Sequence, residues 1–253
     1  MTILITGATG QFGGAAVRHL LDRTDELLAV SVRDPRKAQH LADRGVDVRQ
    51  GDFTRPQTLD FSGVDKLLLV SSEGDNDDRI AQHANAVAAA QQAGVGFIAY
   101  TSVTDADTSP LLLAQVHKAT EERIRATGIP FSFLRNGMYH ENYLGLLAAD
   151  EVATSAGDGR IASAARDDLA LAAAIVPAGD GYENTVHELT GPAAWSFPEL
   201  AGDRFRSVTD DDLRAAGLPE VIVDIFARAR EGVFAQVRPD LEKLLGRTPA
   251  PIS

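Results

Sequence analysis

The first fourteen residues, MTILITGATGQFGG, narrow the choice of fold more than any other stretch of the chain. Thr2 to Thr6 is a short, uncharged run of apolar and β-branched residues, suited to a strand buried on both faces of a parallel sheet. Gly7, Gly10 and Gly13 follow in the spacing G-x-x-G-x-x-G. The first glycine lets the backbone turn sharply, the second removes a side chain that would block a pyrophosphate, and the third lets the next helix pack close to the sheet. That helix is expected over Gln11 to Arg23, with Ala15, Ala16, Val17, Leu20 and Leu21 as its apolar stripe. Its unpaired N–H groups and its dipole then face an anion. Glycines at this spacing also occur in ordinary turns, but a strand directly before them and an amphipathic helix directly after point to a dinucleotide seat. Gly7, Thr9, Gly10, Gln11, Phe12 and Gly13 would line it. The Gly-Lys-Ser or Gly-Lys-Thr of a triphosphate-binding loop is absent.

Leu27 to Val32 reads as a second buried strand, and its tip bears on which dinucleotide is preferred. Arg33 stands 20 positions after Gly13, with Arg36 and Lys37 close behind, so the tip reads as a clamp for a 2′-phosphate and favours NADPH over NADH. The alternative is a set of solvated charges on a helix capped by Asp34 with Pro35 in its first position. Val46 to Gln50 alternates like a strand, and the Asp52 and Phe53 that follow suit an adenine edge and face, unless Asp52 only caps the next short helix. Lys66 to Ser72 is a fourth strand whose end must lie at the carboxyl edge of the sheet, making Ser71 and Ser72 candidate lining residues.

A long helix over Asp75 to Ala93 is closed by Gly94, and Phe97 to Ser102 is a fifth strand, placing Thr101 and Ser102 at the same edge. A helix over Leu111 to Thr127 and a sixth strand over Pro130 to Arg135 follow. Six strands alternating with helices predict an α/β fold, a Rossmann-type doubly wound parallel sheet over residues 1–135. From 136 to 253 the elements shorten and mix. They read as a small C-terminal substrate-side lobe, partly returning to the core within one structural unit. In this region Asp167 or Asp168 is expected to cap an Ala-rich helix, and Thr185 to Thr190 to form a late strand. Ser196 to Glu199 and Thr209 to Asp212 look like helix starts.

Composition removes several classes of function. The 36 acidic residues against 24 basic ones give a net charge of −12, which disfavours nucleic acid and anionic membrane as partners. With no cysteine among the 253 residues, disulfides and thiolate chemistry are excluded, and a reducing cytoplasm is the expected setting. The amino terminus reads as strand and loop rather than a secretion signal, and no apolar run approaches the ~20 residues of a bilayer span. The acidic run Asp210 to Asp212 has a metal-like composition, but helix capping explains it.

Short-chain dehydrogenases usually carry a Tyr-x-x-x-Lys pair, the lysine readying the tyrosine to protonate a carbonyl. Tyr100, Tyr139, Tyr143 and Tyr182 are followed four positions later by Thr104, Tyr143, Leu147 and Val186, so the pair is absent. Nevertheless GATGQFG, Arg33, KLLLVSS, FIAYTS with ADTSPL, His117-x-x-Thr120-Glu121, LRNGMYHENY and AGDGRIASAARDDLA together resemble the NmrA-like atypical short-chain dehydrogenase family, most of all its bacterial quinone reductases. The resemblance runs from Met1 to about Gly191 and more faintly to the end. It implies NADPH bound along the strand edge and reduction of a quinone without flavin or the missing pair. The family also includes regulators that bind dinucleotide with little or no catalysis. Two regions, near Asp150–Glu151 and near Ala201 to Arg204, look shortened against the family pattern, where a substrate lid would lie.

A quinone accepts hydride readily, so stacking it on a nicotinamide supplies much of the catalysis, and a hydrogen-bond donor at its oxygen supplies more. Tyr139, Asn136 and His117 are the candidate donors. Tyr139 and Asn136 follow the sixth strand at the right edge, and His117 has Glu121 one helical turn away to orient it. Plain packing competes for Tyr139, and an ordinary helix histidine for His117. The expected substrate is a small-molecule quinone or a similarly activated carbonyl or enone, the cofactor NADPH, and no metal; a homodimer is left open.

Overall fold

The computed structural model describes residues 1–252. Its elements run β1 (Thr2–Thr6), α1 (Gln11–Leu21), β2 (Leu27–Val32), α2 (Gln39–Ala42), β3 (Asp47–Gln50), β4 (Lys66–Leu69), α3 (Asn76–Ala93), β5 (Phe97–Val103), α4 (Ala114–Thr127) and β6 (Phe131–Asn136). Beyond these come α5 (Glu141–Leu147), β7 (Val152–Thr154), α6 (Arg166–Ala178), β8 (Thr185–Leu189), α7 (Phe197–Ala201), β9 (Phe205–Ser207), α8 (Asp210–Ala215), α9 (Glu220–Arg230) and α10 (Asp240–Leu245). Seven strands form one sheet in the order β3-β2-β1-β4-β5-β6-β8. Every neighbouring pair is parallel. The order reverses between β1 and β4, which puts the switch-point crevice at the carboxyl end of β1, directly above the glycine turn.

Burial on both faces explains the unbroken apolar strands. Ile3, Ile5, Val30, Leu68 and Leu134 point to one side, into a cluster with Ala16 and Leu20 of α1 and Leu169 and Ala173 of α6. Leu4, Leu67, Leu69, Ile98 and Phe133 point to the other, into a cluster with Ala86, Val87 and Ala90 of α3 and Ile124 of α4. Each fully buried leucine or isoleucine contributes about 1.5–3 kcal/mol, so the two clusters hold the sheet between its helix layers. A third cluster makes the lobe, where Tyr143, Trp195, Phe197 and Phe226 meet edge to face at centroid separations of 5.1–5.8 Å. There β7 and β9 pair as a small parallel sheet.

Several boundaries differ from the sequence expectation. The sheet has seven strands, not six: Thr185 to Leu189 is β8, parallel to β6, and α6 packs on α1 in the core. As an edge strand, β8 is only half-buried and so lacks the apolar run that marked the others. Asp167 and Asp168 do not cap α6, whose N-cap is Ala165. Instead the Glu141 carboxylate accepts from the Arg166 amide at 3.0 Å, while Asp168 is buried and holds the C-terminal segment. Strand β4 stops at Leu69 rather than Ser72, because the next three amides leave the ladder for side-chain acceptors. Val70 N donates to Thr6 Oγ1, Ser71 N to Thr101 Oγ1 and Ser72 N to His83 Nε2, each at 2.9 Å. Helix α4 begins at Ala114 rather than Leu111, since Leu112 is tied instead to Asp224 and Asn76. The capping boxes at Ser196–Glu199 and Thr209–Asp212 are both formed. No helix among the described residues is long and apolar enough to cross a membrane.

Candidate active site at the strand switch point

Strand β1 is followed by Gly7, whose φ of +64° is left-handed and open to glycine without strain. Gly7 O accepts from Gly10 N at 2.9 Å and closes the turn. A Cβ on Gly13 would lie 2.3 Å from Gly7 O, so only glycine lets α1 start this close to the turn. Helix α1 opens with Gly10 as N-cap, with no side-chain cap and no acid in its first turn. The amides of Gln11, Phe12 and Gly13 find no acceptor among the described residues. Three unpaired donors at a helix start, with Thr9, Gly10 and Gln11 exposed around them, form an anion seat that fits a pyrophosphate.

On the β2 side, Arg33 and Lys37 are exposed and join no ion pair within 4 Å among the described residues. Arg36 departs from the expected clamp. Its guanidinium lies flat on Asp34 with two bonds of 2.9 Å, while Asp34 also accepts from the Arg36 amide as the cap of the Pro35–Ala38 turn. Asp52 accepts from Thr54 N and Thr54 Oγ1 at 2.9 and 2.8 Å, and these bonds hold its pKa below the ordinary value. Phe53 is half-buried against the α3 face, its carbonyl accepting from Asn85.

The far side of the crevice is built on the exit of β4. Ser71 and Ser72 are partly exposed; Ser71 Oγ accepts from Arg79 Nη2 at 2.8 Å, and Ser72 is held by His83. Thr101 and Ser102 are buried and committed to the chain itself. Thr101 holds Ser71, and Ser102 Oγ donates to Glu121 Oε1 at 2.6 Å. Glu121 belongs to Arg135, which donates to both its oxygens at 2.9 and 2.8 Å and to Asp107 and Glu188 at 3.0 Å. The Glu121 carboxylate therefore does not orient His117. His117 is buried, bonded through Nδ1 to the Tyr100 hydroxyl at 2.9 Å, and burial holds its pKa well below the usual 6.5. Both ring nitrogens thus face the chain itself, Nδ1 toward Tyr100 and Nε2 toward Arg79 at 3.5 Å, and the geometry does not present His117 to the crevice as the expected donor.

Tyr139 and Asn136 do come together with the glycine turn. The Tyr139 ring stacks on Phe12 at 6.0 Å and 17°, with the Arg166 guanidinium 5.3 Å from its centre. Asn136 Nδ2 reaches the Tyr139 hydroxyl at 3.5 Å, and Asn136 Oδ1 is buried without a partner. Burial raises the Tyr139 pKa above its ordinary 10.0, so the phenol keeps its proton.

Sequence reasoning missed the polar group behind Ser71 and Ser72. His83 Nε2 accepts from Ser72 N, so its Nδ1 carries the proton and donates to Thr120 Oγ1 at 2.9 Å. Burial pushes the His83 pKa down to about 3. The available signal was the pair Arg79 and His83, four apart on the helix face that continues into Ala86, Val87 and Ala90.

The NmrA-like family matches residues 1–195. The chain is 41% identical over 270 aligned positions to quinone oxidoreductase 2 of Escherichia coli (strain K12), covering 96% of this chain and 93% of that one. It is 29% identical to an NAD(P)H azoreductase of Xenophilus azovorans, with 97% and 93% covered. Among solved structures, triphenylmethane reductase of Citrobacter sp. complexed with NADP(H) superposes with a TM-score of 0.91, at 38% identity and over 100% and 97% of the two chains. The Escherichia coli NADPH-dependent quinone oxidoreductase complexed with NADPH gives 0.92, at 39% identity and over 99% and 96%.

Proposed function

Because this chain belongs to the NmrA-like family, we propose that it is an NADPH-dependent oxidoreductase delivering hydride to a quinone or a similarly activated carbonyl or enone. The observation that carries the reading is the seat of three unpaired amides, Gln11 to Gly13, in a turn too tight for any side chain to fill. The residues present fit the cofactor: those amides take its pyrophosphate, and the unpaired Arg33 and Lys37 take a 2′-phosphate. Ser71 and Ser72 line the crevice beyond them. When bound, NADPH supplies the hydride from its nicotinamide. The relatives' names point to quinones, azo compounds and triphenylmethane dyes, conjugated electrophiles that need little activation.

The chain's own part is to hold the acceptor and stabilise its charge. Tyr139, stacked at the head of the seat and protonated, donates a hydrogen bond to the acceptor's oxygen, and Asn136 orients that phenol. A second reading, a dinucleotide-sensing regulator, is favoured by one observation: the chain has no Tyr-x-x-x-Lys pair, and His117 is buried against Tyr100 rather than open to a substrate.

Purified protein is expected to consume NADPH when offered a panel of quinones. Tight NADPH binding without turnover across the panel selects the regulator. Arg33→Ala is expected to weaken NADPH by about ten- to a hundredfold, the worth of a charge-assisted bond to phosphate, while leaving NADH unchanged. An equal loss for both cofactors removes the 2′-phosphate assignment.

A further inference from the structure

Arg79 carries a charge that the fold leaves without a counterion. Its neighbours Asp77 and Asp78 face solvent, but Arg79 turns inward and is 8% exposed. Nη2 donates to Ser71 Oγ at 2.8 Å and lies 3.5 Å from His117 Nε2. Nε is buried with no acceptor. No carboxylate comes within 4 Å of it among the described residues; Glu73, which is exposed, acts on it only through space. The groups around it are dipoles: neutral His83 and His117, and a Tyr100 phenol whose pKa burial raises.

A largely buried guanidinium with no counterion and an unpaired Nε is costly, so a fold keeps one to brace a structure or to meet an anion. The bracing is thin: one bond to a serine and one long contact to a histidine, both within reach of a neutral donor. The location favours the anion. Ser71 leaves β4 beside the point where the strand order reverses, where open α/β sheets take their ligands. Val70, just before it, is the side chain that a Cβ on Gly7 of the glycine turn would meet, at 3.5 Å. The cofactor's phosphates are already provided for by the start of α1 and by Arg33, whereas Arg79 approaches from the β4 and β5 side.

We propose that Arg79 is an anion-binding residue at the substrate end of this crevice, supplying the positive charge that stabilises the oxygen anion of the reduced acceptor. The identity of that anion rests on the reductase reading above. Hydride added to a neutral quinone leaves a hydroquinone monoanion, and a proton from solvent completes the hydroquinone. Arg79 balances the charge in the interval, before that proton arrives.

The test uses a phenolate as probe. Binding of 4-nitrophenolate is compared with that of uncharged 4-nitroanisole for the wild type, Arg79→Met and Arg79→Lys, with thermal unfolding of the ligand-free proteins and NADPH titration alongside. The wild type is expected to prefer the phenolate by about tenfold or more, Arg79→Met to lose the preference and Arg79→Lys to keep part of it. Arg79→Met should unfold at the same or a higher temperature, because it removes an unpaired buried charge. Its NADPH affinity should be unchanged, and its quinone turnover should fall by about a hundredfold. A phenolate preference that survives in Arg79→Met overturns the proposal, and so does a clearly lower unfolding temperature, which marks a brace. NADPH affinity falling in parallel moves the charge to the cofactor and also overturns it. A wild type that prefers phenolate through Arg79 but reduces no quinone rejects the reductase reading and leaves the anion site standing.

Discussion

Tyr139 is a phenol, protonated throughout the neutral range, and its surroundings between Phe12 and Asn136 raise its pKa further above the ordinary 10.0. A phenol held above its ordinary pKa donates a hydrogen bond across the whole neutral range, so loss of the hydroxyl costs the same at every pH there. Tyr139→Phe, which keeps the stack on Phe12, is expected to lower kcat by about ten- to a hundredfold with little change in NADPH affinity. Steady-state kinetics together with cofactor titration check this, and an unchanged kcat assigns the ring to packing alone. At the same scale Arg33 and Arg36 show how neighbouring cations diverge. Asp34 captures Arg36 two residues away and leaves Arg33 free, a division that follows from the shape of the capping turn.

At the scale of elements, the exit of β4 is held by three borrowed acceptors, on β1, β5 and α3. The α3 contribution is pH-sensitive. His83 is wholly buried with a folded pKa of about 3 against an ordinary 6.5. As pH falls below 6.5 the unfolded chain takes up a proton that the folded chain refuses, so the stability present above that value is lost progressively toward pH 3. Between pH 7 and pH 5 this one residue should cost about 2 kcal/mol of unfolding free energy. Urea unfolding at the two pH values measures it. In His83→Gln, whose side-chain oxygen can still accept from Ser72, that part of the acid slope should vanish; an undiminished slope would place the titration elsewhere.

For the molecule as a whole, the C-terminal segment joins core and lobe. The Asp168 carboxylate, buried at the start of α6, accepts from the Arg247 guanidinium and from Ala250 N at 2.7 Å. Ala250 O accepts from His140 Nε2 at 3.0 Å; His140 Nδ1 in turn accepts from Ser163 Oγ, which accepts from the Trp195 indole at 2.7 Å. His140 directly follows Tyr139, so this chain of bonds backs the loop that carries the proposed donor. Asp168→Ala should lower stability by about 1–3 kcal/mol, less than a fully buried pair would cost because Arg247 is half-exposed. It should also shift the emission of Trp195, the chain's one tryptophan, to longer wavelength. Native fluorescence identical to the wild type would mean that the tail does not hold the lobe.

What could be read from sequence was local. The G-x-x-G-x-x-G turn needs a left-handed Gly7 and a bare Gly13, and both requirements are visible as glycines. Apolar runs announced the strands buried on two faces, and the Ser196–Glu199 and Thr209–Asp212 spacings announced their helices, because each rests on contacts within four residues. The strand at Thr185 to Leu189 was legible, but not that it joins the main sheet as its seventh member beside β6, since half-burial leaves no mark of which sheet a strand enters. Tertiary structure alone decided who pairs with whom: Glu121 with Arg135 rather than beside His117, Asp168 with the C-terminal segment rather than as a cap, and Arg79 with no carboxylate at all. The paired groups lie 14 and 79 residues apart, on different elements, and the order in which parallel strands assemble sets their distances, a choice that no local propensity records.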